Sequence, residues 1–397
     1  MKVLVLDEWL PYPADTGKKL RTYNLMRHLT RAAEVTYVYY GKGGEPLPPD
    51  WGPGTRLVAV PDLRPAKGST AYWLRVALNV LRPLPFSAEF ASSPRLVETL
   101  ARLVRENPFD VLLCEGAGYA RMLAVIPHPH RVLMAHNVEH LQWIRFAKAR
   151  RSPVIKVFAW WQHRKMHAYE TWLFRRYQRI TTVSAEDREL LLRMVPHPNV
   201  QVVENGVDLD YFRPQPGERD RNRVAFSGSM DAFSNADAAA YYVWNIHPLV
   251  RARRPDAEFS IVGKDPDEYT RNLASVQGVH VTGSVPDVRP YAGRAAAAVV
   301  PLRIGGGSRL KILEAMAMGV VVVSTTIGAE GLAVTPGKDI LIADQPQQFA
   351  DAVLECMERG PRIAEIESRA SALVRERYSW ERIGREMTRM ILGDQAS

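Results

Sequence analysis

Residues 296–325 read AAAVVPLRIGGGSRLKILEAMAMGVVVVST, and their order states a unit of structure. Ala296–Pro301 is short, apolar and uninterrupted, as a strand buried on both faces must be. Ser308–Met318 carries apolar residues at helical spacing, with Ser308 suited to cap its start and Gly319 to stop it. Val320–Thr325 is a second apolar strand. Strand, glycine loop, helix and strand together describe two parallel strands joined by a crossover helix. Gly305–Gly307 can take backbone angles closed to other residues. The loop therefore delivers the positive end of a helix to the end of a strand, where free N–H groups favour an anion, typically phosphate. Lys311 and Glu314 are three apart and share a face turned away from Leu310, Leu313 and Ala317. A cation for phosphate and a carboxylate for paired hydroxyls suit a nucleotide diphosphate with its ribose. The same residues also read as a flexible turn and a surface ion pair. No Gly-x4-Gly-Lys-Ser/Thr loop occurs in the chain, and Leu310 stands where a dinucleotide fingerprint needs its third glycine.

The alternation extends in both directions. Strands are expected at Lys2–Asp7, Val35–Tyr40, Val111–Cys114, Arg131–Ala135 and Ile180–Ser184. After a break they are expected at Val224–Ser227, Phe259–Gly263 and Val279–Thr282. Helices fit between them at Leu20–Arg31, Pro94–Glu106, Ala185–Met194, Ala236–Arg253 and Pro346–Arg359. The pattern implies an α/β chain of two doubly wound, Rossmann-like domains facing a cleft, with ligands beyond the carboxyl ends of the strands. A polar segment rich in Pro and Arg follows Asn205-Gly206-Val207-Asp208 and reads as a linker. The expected domains are 1–208 and 209–377, followed by a last helix in 378–397 that crosses back onto the first. Two further strand-to-helix turns suit anions. Asp15-Thr16-Gly17 opens a helix with Lys18 and Lys19 in its first turn. Gly228-Ser229-Met230 follows a strand and precedes Asn235 at a helix start.

The totals set limits. A chain of 397 residues favours two cores over one. No apolar run approaches the roughly 18 residues of a membrane span, and the first strand is too short for a signal peptide. Cys114 and Cys356 form neither a disulfide framework nor a metal-ligand spacing, so a cytoplasmic chain is expected. Net charge is +9 and unevenly placed. Residues 140–180 hold Arg145, Lys148, Arg150, Arg151, Lys156, Arg164, Lys165, Arg175, Arg176 and Arg179 against Glu170 alone. That surplus equals the whole chain's. Trp143, Trp160, Trp161 and Trp172 lie in the same segment. Cations with tryptophan suit an anionic membrane surface; a solvated helical face with core tryptophans is the plainer reading. No nucleic-acid-binding signature accompanies the segment, so nucleic acid is not an expected partner.

One motif competes for a different chemistry. His136-Asn-Val-Glu139-His140 matches the inverted zinc-protease pattern, which needs both histidines on one helix face. His136, however, directly follows an expected strand, which places it at a strand end facing the cleft, where it can hydrogen-bond sugar or phosphate.

VVENGVDLDYFRP (202–214), the Gly228 turn, FSIVGKDP (259–266), VTGSVPDVRPY (281–291), the glycine-loop helix and AEGL (329–332) together resemble glycosyltransferase family 4. YPADTGKKLRTYNL, AHNVEH (135–140) and ITTVSAEDREL (180–190) fit the same family, so the resemblance covers nearly the whole chain. It implies the two-domain GT-B fold and a retaining, metal-independent transfer from a nucleotide-diphosphate sugar, with no further cofactor. The departures resemble an exopolysaccharide subgroup, which implies a glycan or lipid-linked acceptor. The family's Glu-x7-Glu motif maps its second glutamate onto Glu314, on the donor ribose. Its first falls on Gly306, and the cations usual after the Gly228 turn are missing, so Lys311 becomes the leading phosphate cation. Arg303, Arg309 and the backbone of Gly306, Gly307 and Ser308 are the other donor contacts implied, with Gly228 and Ser229. The resemblance places Gly17 beside phosphate and sugar, and His136 on the transferred sugar. Since Gly306 replaces a carboxylate, a nucleotide-sugar-binding scaffold without turnover is the alternative.

Overall fold

The computed structural model describes residues 1–148, 152–197, 199–304 and 309–393. Chain contacts divide them into two units. The first runs from Met1 to Glu204 and resumes at Ile383; the second is Asn205–Arg382.

The first unit is built on seven parallel strands: β1 (Lys2–Leu6), β2 (Glu34–Tyr40), β3 (Arg56–Val60), β4 (Val111–Glu115), β5 (Arg131–Met134), β6 (Arg179–Thr182) and β7 (Val200–Val202). Their order across the sheet is β3-β2-β1-β4-β5-β6-β7. Val3 pairs with Val35 of β2 on one side and Val111 of β4 on the other. The chain thus winds outward in both directions from β1, and the β1/β4 junction is the switch point beyond which ligands of such sheets sit. Burial explains the strands: Val3, Leu4, Val5 and Leu6 are fully enclosed, as a central parallel strand covered on both faces requires.

The second unit repeats the plan with six parallel strands: β8 (Asp220–Ser227), β9 (Glu258–Val262), β10 (Val279–Gly283), β11 (Ala295–Val300), β12 (Val322–Ser324) and β13 (Leu341–Ile342). Their order is β10-β9-β8-β11-β12-β13, with the switch point between β8 and β11. The helix Leu310–Ala317 crosses from β11 to β12 with Leu310, Ile312, Leu313, Ala315 and Met316 buried. Gly319 follows it with a φ of +71°, the left-handed stop expected there.

Three details differ from the expected elements. The helix expected over Ala236–Arg253 is a helix Phe233–Tyr241, a π-turn Tyr242–Ile246 and a helix His247–Arg253. Pro248 lacks an N–H and crowds the preceding turn, and the wider turn accommodates it. Ser308, the expected cap of the glycine-loop helix, lies outside the described residues. The residue flanking that helix is Arg309, in the left-handed region with φ +54°. The apolar pattern also does not mark β3 or the helices Thr70–Asn79, Pro153–Phe174 and Pro361–Arg377, among others.

Two glycine turns at strand ends press against each other. A Cβ on Gly263 would stand 1.7 Å from the carbonyl oxygen of Gly228, and the Gly228 N–H donates to the Val262 carbonyl at 3.0 Å. Gly263→Ala is therefore expected to destabilise the protein by roughly 1–3 kcal/mol through backbone displacement. Thermal unfolding would show a lowered midpoint, and an unchanged one would refute the contact.

Candidate functional site

Beyond the β8/β11 switch point, four elements converge. Lys311, on the first turn of its helix, donates from Nζ to Asn235 Oδ1 at 2.8 Å and lies 4.2 Å from the Phe226 ring centre. Asn235 donates in turn to the Ser229 carbonyl at 2.8 Å. A Cβ on Gly228 would stand 2.8 Å from Lys311 Nζ and 2.9 Å from Asn235 Nδ2. Glycine at 228 is what lets the ammonium and the amide reach the backbone turn. Lys311 and Glu314 line one small recess together with Ser227, Ala225 and Met318. Burial drives the Lys311 ammonium down to about 7, against the opposing pull of Glu314. Burial likewise drives the Glu314 carboxyl up to about 7, with Lys311 the only group among the described residues acting to lower it. Both groups are half-buried. They sit on one side of a helix whose other sides are dry, so neither regains its full hydration.

The arginines are committed elsewhere. Arg303 makes a two-pronged pair with Asp237, at 3.1 Å and 2.5 Å, and lies over the Tyr241 ring. Arg309 is buried and donates to the Ile327 carbonyl at 2.8 Å and the Glu330 carbonyl at 3.3 Å. It therefore ties the helix start to the turn after β12. The Ser229 hydroxyl donates to Asp231 at 2.6 Å. Gly306, Gly307 and Ser308 lie outside the described residues.

In the first unit the strand ends after β1, β4 and β5 hold a second polar group. Asp7, nearly inaccessible, accepts from Lys18 Nζ at 2.7 Å and from the Tyr37 hydroxyl at 2.8 Å. Burial acts to lower the Lys18 ammonium, but Asp7, Glu8 and Glu115 together outweigh it and the net shift is upward. Gly17 is the first residue of its helix, capped by Thr16, whose side chain accepts from the Lys19 N–H. His136 follows β5, and its Nε2 lies 3.0 Å from Oε2 of the fully enclosed Glu115. The contact is off the line of a hydrogen bond. Glu115 is the last residue of β4, and its position at a strand end was the available sequence signal.

The zinc-type geometry is not met. His136 precedes the helix Glu139–Lys148 instead of lying on it. Glu170, fully enclosed, accepts the N–H groups of Glu139 and His140 and contacts His140 Nδ1 at 2.6 Å. Among the described residues no three His, Cys, Asp or Glu side chains are arranged around a common metal position. The motif is a helix start anchored by a buried carboxylate, and that anchor fixes the loop carrying His136. The Glu139 carboxyl is pushed up to about 7, chiefly by burial and then by Glu170.

Two family models divide the sequence along the same lines. The model for Glycosyltransferase Family 4 matches residues 17–211, and that for Glycosyl transferases group 1 matches residues 221–359. The chain belongs to glycosyltransferase family 4. A Klebsiella pneumoniae relative described as an uncharacterized 44.6 kDa protein in a cps region is 20% identical, over 78% of this chain and 80% of that one. A GDP-mannose-dependent monoacylated α-(1-6)-phosphatidylinositol monomannoside mannosyltransferase of Corynebacterium glutamicum is 27% identical, over 49% of this chain and 56% of that one. The crystal structure of HepE from Anabaena, in complex with UDP and glucose, has a TM-score of 0.66 at 14% identity, covering 99% of this chain and 100% of that one. The architecture of the glycosyltransferase is thus GT-B.

The basic segment of this glycosyltransferase is less uniform than its composition implies. Lys165 is buried, not solvated, and donates to the Asn79 carbonyl. Trp143 and Trp172 are half-buried, whereas Trp160 and Trp161 are exposed. Arg150 and Arg151 lie outside the described residues. No helix is long and apolar enough to cross a membrane among the described residues.

Two measurements check the electrostatics. Lys311→Met removes the one group among the described residues that lowers Glu314, so the carbon-13 titration midpoint of Glu314 should move above about 7. The folded state then holds a proton that the unfolded chain has released, so the variant loses stability as pH rises from about 5 toward that midpoint. A midpoint that falls instead would contradict the burial argument. Nitrogen-15 shifts should find His136 protonated on Nε2, toward Glu115; a neutral Nδ1–H ring would contradict the contact.

Proposed function

We propose that the chain is a retaining, metal-independent hexosyltransferase that moves a sugar from a nucleotide-diphosphate sugar to a glycan or lipid-linked acceptor in cell-surface polysaccharide synthesis. The single observation that carries the donor assignment is the desolvated Lys311 at the Gly228 turn, with Glu314 one helical step away. A half-buried ammonium poised near neutrality gains most from an anion that restores its charge. In the proposed roles Lys311 holds the diphosphate, with the backbone of residues 306–309. Glu314 accepts from the ribose hydroxyls. Gly228 and Ser229 shape the turn beside them. Gly17 approaches the phosphate and sugar, and His136 hydrogen-bonds the transferred sugar. Arg303 and Arg309 support this frame from the sides through Asp237 and the 327–330 turn. No cofactor takes part.

Supporting the reading, one structural relative was crystallised with UDP and glucose, and one sequence relative uses GDP-mannose. The cps-region relative supports the polysaccharide role. In a retaining transfer the acceptor attacks on the leaving-group side, and the departing phosphate takes its proton. Catalysis then consists of positioning and charge stabilisation, which needs no dedicated base. The acceptor assignment carries with it a cytoplasmic enzyme whose basic segment, 140–180, meets an anionic membrane surface and not nucleic acid.

A thermal-shift screen against UDP, GDP, ADP and their sugars tests the donor class, since a ligand at about 100 times its Kd stabilises by about 2.7 kcal/mol. Proton NMR of the product then reads the anomeric configuration, and an inverted product would overturn the mechanism. Glu314→Ala should weaken nucleotide binding by roughly 1.5–3 kcal/mol while leaving the fold intact; unchanged affinity by calorimetry would remove Glu314 from the ribose. Binding should also take up a proton. Burial lowers the Lys311 ammonium toward neutrality in the free protein, and a bound diphosphate raises its pKa. Affinity should therefore fall as pH rises from about 7 to 9, and calorimetry in buffers of different ionisation enthalpy should lose the uptake in Lys311→Met.

A further inference from the structure

Two helices that the sequence reading did not pair are joined in the first unit. Trp161 Nε1 donates to the Val80 carbonyl at 3.0 Å, and Gln162 donates to Asn79 at 2.7 Å. These bonds set the end of the helix Thr70–Asn79 against the amino-terminal half of Pro153–Phe174. Both helices turn large apolar side chains to solvent. On the first, Trp73, Leu74 and Leu78 are exposed, and Leu81, two residues past the helix end, is 88% exposed. On the second, Val154 and Val157 are exposed, with Trp160 a turn further on. The flanking charge is mostly of one sign; the exception is Glu89, which folding brings to Asn79 and Arg82. No Asp or Glu occurs from Pro65 to Ala88 or from Leu141 to Tyr169, and Arg75, Lys156 and Arg164 are exposed around the patch.

We infer that this two-helix face inserts into the headgroup layer of an anionic phospholipid bilayer. The inference rests on the membrane contact of the proposed function and deepens it, naming which side chains enter and adding a helix outside the basic segment. Charge and shape select the occupant. An exposed apolar patch of this kind needs a partner, and tryptophan with leucine above a cationic rim is the composition of interfacial helices. A second copy docked through the same patch about a twofold axis would bring two sets of Arg75, Lys156 and Arg164 into one interface. Nucleic acid would use the cations but leave the exposed leucines in water. Anionic lipid satisfies both, since cations attract the surface and the apolar side chains enter below it.

The test is flotation of the full-length protein with vesicles of phosphatidylcholine containing about one third phosphatidylglycerol. The wild type should float, and brominated lipid should quench its tryptophan fluorescence. The variant Trp73→Ser, Leu81→Ser, Trp160→Ser changes only exposed positions and should bind at least about tenfold more weakly at both low and high salt. Arg75→Glu, Lys156→Glu, Arg164→Glu should lose binding at low salt and approach the wild type's weaker binding at high salt, where charge is screened over about 3 Å. Wild-type protein that stays at the bottom, or a serine variant that floats like wild type, overturns the inference. A dimer in solution dissolved by the serine changes would assign the face to a second copy, and stronger binding to DNA than to vesicles would assign it to nucleic acid; either overturns it too. Nucleotide-induced thermal shifts should be equal in all three proteins. Vesicle binding without any nucleotide binding would sink the proposed donor site and leave this surface standing.

Discussion

The second unit depends on a helix that has only one wet side. Leu310, Ile312, Leu313, Ala315 and Met316 are all taken up by the core, and each contributes roughly 1–3 kcal/mol by leaving water. Lys311 and Glu314 therefore share what remains. They cannot move away without pulling the apolar residues out, so their partial desolvation is imposed by packing. That constraint sets the chemistry of the recess: a cation and a carboxylate, both held near neutrality, beside two glycine turns. A similar logic runs through the first unit, where Glu115 and Glu170 are fully enclosed and the loop bearing His136 is held between them.

The parallel strands were legible because their burial on both faces writes continuous apolar runs into the sequence. The turns after β1, β8 and β11 were legible because glycine and capping residues mark them. What was not legible has physical causes. The helix Thr70–Asn79 exposes Trp73, Leu74 and Leu78, so its pattern is not that of a helix packed on a core. Pro153–Phe174 carries aromatic residues nearly all round. Glu115 and Asp7 look like ordinary strand-end residues, and only folding brings His136, Lys18 and Tyr37 to them. Arg303 and Arg309 looked like free cations beside a phosphate loop; their partners, Asp237 and the 327–330 carbonyls, are remote in sequence or lie in another turn. Lys165 counted toward a basic surface and is spent inside on Asn79.

The family models and the physical reading meet at the same residues by different routes. The family pattern supplies a role for Glu314, while packing explains why its carboxyl is perturbed. Where the chain departs from the pattern, at Gly306 and in the turn after Gly228 that lacks a cation, the physical account becomes the more useful of the two. It identifies Lys311 and Asn235 as the polar groups that occupy the turn.

The contact between Gly228 and Gly263 has an evolutionary consequence. Neither position drifts freely, because a Cβ at 263 would meet the Gly228 carbonyl and one at 228 would meet Lys311 Nζ and Asn235 Nδ2. Ser229 and Asn235, one and seven residues further along, face no such restriction from their own backbone. Divergence around this recess is thus channelled to those neighbours, around a pivot that stays fixed.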